Sequence, residues 1–207
     1  MKHASQSHQA EPSGEPPLAH TRGYGEQPPR WKIRAAGAVL VLAALAAYAN
    51  SFNGPFVFDD LPSVLENPSI RTLWPPSVPL SPPRGVGLTV SGRPLLNLSL
   101  AINYAISGTN PGSYHVLNLV IHSLGGLALF GLVRRTLRQP TLSPRLREAA
   151  LPVAFVTALL WLVHPLQTEA VTYVIQRAES LMALFFLLTL YAFIRGTGVE
   201  HDATKGH

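Results

Sequence analysis

The sequence predicts an all-α membrane protein of about four spans, with a large external first loop that contains an interfacial helix. Two observations exclude a soluble globule. Charged residues are 13% of the 207-residue chain while hydrophobic residues reach 47%, whereas soluble chains run near a quarter charged. The apolar residues also gather in blocks of about fifteen to twenty, with Lys and Arg between them. A net charge of +5 invites a nucleic-acid reading, but the cations cap apolar segments and form no stripe, so no nucleic-acid partner is expected. The absence of cysteine excludes disulfides, thiolate metal sites and cysteine nucleophiles.

Residues 1–30 are rich in Ser, Gln, Pro and Gly and read as a disordered tail. The first span covers about 33–52, roughly 30 Å of helix. The competing reading, a leader cleaved at Ala47-Tyr48-Ala49, requires an unusually long polar segment ahead of it. The loop 53–113 carries too many prolines to cross lipid. Within it, about 95–106 is apolar but only some twelve residues long, which suits a helix lying at the interface.

The second span, about 114–133, bears His115, Asn118 and His122 at i, i+3 and i+7. They share one helical face, which must look into a bundle interior or a wet cavity. An arginine connector follows (Arg134, Arg135, Arg138, Arg145, Arg147). The third span, about 149–164, tolerates Pro152 in its first turn and ends at His164-Pro165. The fourth, about 176–194, continues a segment rising from Thr168, and 196–207 is a short tail whose abruptness reads as truncation. Cations cluster before span one and in the second connector, so both are assigned to the cytoplasm. Loops 53–113 and 164–179 then share the opposite side.

Asp59 and Asp60 stand next to each other just past the first span. Such a pair suits a general base or a shared proton; an Asx turn or helix cap ahead of Leu61-Pro62 is the structural alternative. On a continuous helix Glu169, Thr172, Gln176 and Glu179 form a polar stripe within roughly 80°, serving either a hydrogen-bond network or a substrate cavity. Arg177, beside the stripe, either contacts a phosphate or snorkels to headgroups. His164 reads as a cap more readily than a metal ligand, since no second ligand is suitably spaced. Asn97-Leu98-Ser99 matches a glycosylation sequon but lies on an expected helix and is set aside.

The motifs Asn50-Ser51-Phe52, Phe58-Asp59-Asp60, Asn67-Pro68, Gly92-Arg93-Pro94-Leu95, Tyr114-His115 with Asn118 and His122, His164-Pro165-Leu166-Gln167-Thr168-Glu169 and Gln176-Arg177-Ala178-Glu179 together resemble the transmembrane and tetratricopeptide-repeat O-mannosyltransferase-like family. The likeness covers about residues 45–195. It implies the amino-terminal membrane part of a C-type glycosyltransferase, moving a mannose-like sugar from a polyprenyl-phosphate carrier to a protein hydroxyl on the periplasmic or lumenal side. Asp59 and Asp60 match that family's acidic catalytic position. Arg93, His115, His164, Glu169, Gln176, Arg177 and Glu179 are the expected substrate-binding residues, with His164 and Arg177 on the departing phosphate. No metal ligands are assigned and metal dependence is left open. Relatives have more helices and a repeat array, and no thirty-odd-residue period occurs here. A non-catalytic anchor and a transporter fragment using the His115 face are the alternatives. The Arg-, Ala-, Gly- and Pro-rich composition favours a bacterial inner membrane over the endoplasmic reticulum.

Overall fold

A computed structural model describes residues 28–85 and 88–203, with side chains through residue 196. Most of the tail expected at 1–30, and the last four residues, lie outside the described residues. Among those described there are helices and no strands. The chain runs α1 (Arg30–Tyr48), α2 (Pro94–Ser107), α3 (Pro111–Leu137), α4 (Pro144–Glu148), α5 (Ala150–Val163), α6 (Thr168–Thr172) and α7 (Arg177–Ala203), with 3-10 turns at Ala49–Asn53, Pro68–Ile70 and Pro165–Gln167.

Three segments are long and apolar enough to cross a membrane unaided: Arg30–Asn53, Pro111–Leu137 and Arg177–Gly196. α5 has only 14 residues, about 21 Å of helix against a core of about 30 Å. It makes a fourth span only with Pro165–Thr172, which continues at a 52° bend. The helix bounds follow the expected stretch 149–164, including its end at His164-Pro165, but the helix alone is shorter than the hydrocarbon core. The helix begun at Arg177 also continues past 194 to Ala203.

Local chemistry sets the ends. Asn110 caps α3 by accepting from Gly112 N–H at 3.0 Å, with Pro111 at the first helical position, where its missing N–H is harmless. Arg134 and Arg135 close the last turn, where the helix dipole favours cations. α2 occupies the expected interfacial stretch almost residue for residue. It buries Leu96, Leu100 and Asn103 beneath the loop and leaves Leu95, Ile102 and Ile106 exposed, an apolar outer face suited to lipid.

α3 is the hub, packed on α1, α5 and α7. α5 turns Ala150, Ala154, Ala158 and Leu162 inward at four-residue spacing, a small-residue stripe that lets helix backbones approach closely. Where the two helices meet, a methyl on Gly126 would lie 2.5 Å from Leu162 Cγ. Leu162 is fully buried and has no room to retreat. Gly126→Ala is therefore expected to destabilise the bundle by about 1–3 kcal/mol, whereas a methyl on Gly196 meets nothing within 4 Å. Thermal unfolding of both variants in detergent checks the contrast.

A second core lies outside the bundle, where Val64, Ile70 and Val90 of the first loop pack with Leu96 and Leu100 of α2, Tyr114, Val174 and Ile175. The proline-rich loop is thus a folded cap seated on the start of α3 and on the approach to α7.

Candidate functional site

Breaks in the helices free backbone groups that must find partners inside the protein, and the polar face of α3 supplies them. His115 Nε2 lies 3.1 Å from Gly54 O, and a Cβ at residue 54 would come within 3.2 Å of that nitrogen. His122 Nε2 and Tyr48 Oη each lie 3.0 Å from Leu162 O, a carbonyl near the end of α5. Asn118 Nδ2 donates toward the carbonyls of Val171, Tyr173 and Val174 at 3.2–3.3 Å. All three α3 side chains are buried. Of the two surroundings expected for this face, the bundle interior is the one found. His115, expected among the substrate-binding residues, is buried here with its Nε2 engaged by Gly54 O.

Asn118 serves a break that the sequence reading did not foresee. α6 ends at Thr172, and Tyr173 is extended (φ −92°, ψ 120°) before α7 starts at Arg177. The run Val171-Thr172-Tyr173-Val174-Ile175, β-branched or aromatic throughout, has low helix propensity. The stripe expected along one helix from Glu169 to Glu179 therefore does not exist. What remains of it is a long contact of 3.4 Å between Gln176 Nε2 and Glu169 Oε1.

Of the two readings of Arg177, snorkelling is excluded, because the side chain is wholly buried. Its Nε donates to Asn118 Oδ1 at 2.7 Å, Nη1 to Ser99 O and Oγ at 3.2 Å, and Nη2 to Tyr114 O at 3.1 Å. One guanidinium thus ties α2, α3 and α7 together.

The two aspartates divide between structure and solvent. Asp60 is 1% exposed; its Oδ2 accepts from Val57 N at 3.1 Å and its Oδ1 from Ile175 N at 2.8 Å. The first contact closes the turn 57–60, and the second bolts that turn to the α6–α7 break. Burial pushes the Asp60 carboxyl above its ordinary value of 3.8, against the opposing pull of those two N–H groups and of His115. Asp59 is exposed. Its N–H donates to Tyr173 Oη at 2.9 Å, and its Oδ2 accepts from Thr89 Oγ1 at 3.3 Å. Burial, then the carboxylates of Asp59, Asp60 and Glu169, hold the Tyr173 phenol above its usual range despite the Asp59 N–H. Phe58, immediately before the pair, takes the left-handed φ of 44°, uncommon for a bulky residue and a mark of local strain.

Arg93 extends this surface, its Nη1 donating to Thr89 O at 3.0 Å. It also lines, with Glu179, a groove of about 360 Å³ between α2 and α7 whose walls include Leu95, Leu96, Leu181, Met182 and Phe185. Arg93 and Glu179 are thus the charged groups of an otherwise apolar trough, and Arg93 connects it through Thr89 to Asp59. His164 stands apart and exposed, its Nδ1 accepting from Leu166 N at 3.2 Å, so it is the cap of its own turn. Among the described residues no group of three or more His, Asp or Glu is placed to hold a metal ion.

Sequence reasoning missed Thr89 and Tyr173, which flank Asp59, and nothing local signals either. It also missed a buried amide network. Asn67 Nδ2 donates to Asn97 Oδ1 at 2.8 Å, and Asn97 Nδ2 donates to Ser69 Oγ and Pro79 O. Asn97 is fully buried, which removes it as a glycan acceptor and agrees with setting the sequon aside.

No family model and no solved structure matches the chain. Curated relatives do. The chain is 35% identical over 84% of its length to Protein O-mannosyl-transferase TMTC1 of Mus musculus, covering 19% of that protein. It is 33% identical over 86% of its length to Protein O-mannosyl-transferase TMTC4 of Homo sapiens, covering 25%. With Protein O-mannosyl-transferase TMTC3 of Mus musculus the figures are 32%, 79% and 17%. The chain spans only about a fifth of the length of the relatives it matches. The helical membrane architecture and these identities agree with the likeness in its motifs: the chain belongs to the transmembrane and tetratricopeptide-repeat O-mannosyltransferase-like family.

Proposed function

We propose that this chain is the amino-terminal membrane part of a glycosyltransferase that moves a mannose-like sugar from a polyprenyl-phosphate carrier to a protein hydroxyl. The observation that carries the reading is the link from an exposed carboxylate, Asp59, through Thr89 to a basic residue, Arg93, that lines an apolar groove. An isoprenoid chain fits the trough by its chemistry, and Arg93 suits the phosphate at its rim. Asp59 takes the proton of the acceptor hydroxyl as its oxygen attacks the anomeric carbon; the bond from that carbon to the phosphate oxygen breaks, and polyprenyl phosphate departs with the electron pair. Glu169, Gln176 and Glu179 surround the approach of the acceptor. Asp60 and Arg177 hold the frame beneath.

The arginine connector supports a cytoplasmic amino terminus, with the Asp59 surface on the periplasmic or lumenal side. For the membrane itself, composition is the support for a bacterial inner membrane, and the mouse and human relatives add none. We further read 31–195 as the membrane domain of a longer protein.

Sugar transfer by the full-length protein in a deficient cell tests the mechanism. Asp59→Asn is expected to lower transfer by about 10²–10⁴-fold at unchanged abundance. Wild-type transfer by that variant removes Asp59 from the chemistry. It would favour the reading as a non-catalytic anchor, which the packing roles of Asp60, Arg177, Asn118 and His115 already support.

A further inference from the structure

The end of the bundle away from Asp59 holds a second cavity of different character. The start of α1, the end of α3 and the α4–α5 corner enclose about 300 Å³ lined by Lys32, Arg134, Arg138 and Arg147, with Glu148 the one carboxylate in its wall among the described residues. The remaining wall includes Pro144, Leu151 and Pro152, so a basic floor adjoins an apolar side. Arg134 lies nineteen residues after His115 on α3, about 28 Å along the axis. That is close to the thickness of the hydrocarbon core, about 30 Å, so the cavity sits at headgroup depth in the opposite leaflet.

Orientation signals require only that cations meet water near helix ends. They do not require four cations from separate elements to converge on one walled space, where like charges repel. Nor do they account for Arg134 and Arg147, which with Arg135 outside the cavity are the arginines whose Nε is buried without a hydrogen-bond partner among the described residues. A phosphate diester supplies what both observations lack: charge of opposite sign and several acceptor oxygens in the planar geometry a guanidinium recognises.

We infer that this cavity binds the phosphate of an anionic phospholipid, whose acyl chains lie along the Leu151 side. The inference is independent of sugar transfer, and so is its test. The purified full chain is equilibrated with phosphatidylglycerol or phosphatidylcholine, and retained lipid is counted by native mass spectrometry. Phosphatidylglycerol is expected to be retained about tenfold better. A double variant, Arg134→Lys with Arg147→Lys, keeps every charge and the orientation signal but loses the guanidinium forks, and should erase most of that preference. Arg145→Gln, which removes a charge from the same connector outside the cavity, should leave it unchanged. If the double variant does not fold, Arg138→Lys is read instead and should lower the preference about threefold. Equal retention of the two lipids, or loss that follows total charge regardless of position, overturns the site. In a parallel arm inorganic phosphate is titrated against thermal unfolding. Stabilisation by phosphate that phosphatidylglycerol neither reproduces nor competes with would assign the cavity to a free anion and overturn the lipid assignment.

Discussion

Arg177→Ala is expected to prevent accumulation of folded protein, with a loss on the order of 3 kcal/mol or more, since each buried acceptor left unpaired costs about 1–3 kcal/mol. The reason is geometric. The guanidinium satisfies the side-chain oxygen of Asn118, the hydroxyl and carbonyl of Ser99 and the carbonyl of Tyr114, so truncation strands acceptors on two helices and opens a void between them. Lysine does not rescue this, because a single ammonium cannot span partners on three sides. A double-mutant cycle with Asn118→Leu checks the assignment: the two losses should fall short of additive by about 1 kcal/mol or more. A phosphate-contact role predicts otherwise, namely a raised KM for the lipid donor in a variant of unchanged melting temperature.

Asp60→Ala is expected to cost about 2–6 kcal/mol, since it leaves the N–H groups of Val57 and Ile175 without an acceptor, at about 1–3 kcal/mol each. Asp60→Asn keeps one acceptor oxygen and presents an N–H to the other donor, so it recovers only part of that loss. The carboxyl also gives a pH signature. Its folded pKa is raised above 3.8 by burial, so between 3.8 and the raised value the native chain holds a proton that the unfolded chain has released. Stability from this group is therefore greatest at acid pH, falls as pH rises through that window and is level above it. Melting curves across the acid range should show this slope in the native chain and lose it in Asp60→Asn.

Much of the architecture was legible because hydropathy and proline placement report directly on what lipid tolerates. Three candidate spans, the short helix at Pro94–Ser107 and the inward face of His115, Asn118 and His122 follow from such arguments. The position of the α6–α7 break was not read, because a window of apolar residues looks the same whether its helix is continuous or bent. The β-branched run from Val171 to Ile175 was the available signal. The inward course of Arg177 was not legible for a related reason. A lone arginine near a helix start usually reaches outward, and only the break behind it makes inward partners available. The two aspartates could not be told apart from their positions, since which of them faces Ile175 depends on a segment 115 residues further along.

That separation also sets a schedule for biogenesis. The turn at residues 57–60 emerges early, yet its anchor at Ile175 has not been synthesised when it does. At about 5–20 residues per second, elongation leaves the loop roughly 6–23 s without its partner. During that interval Val64, Ile70 and Val90 have Leu96, Leu100 and Tyr114 available but lack Val174 and Ile175, so this second core cannot close until the ribosome has passed residue 175.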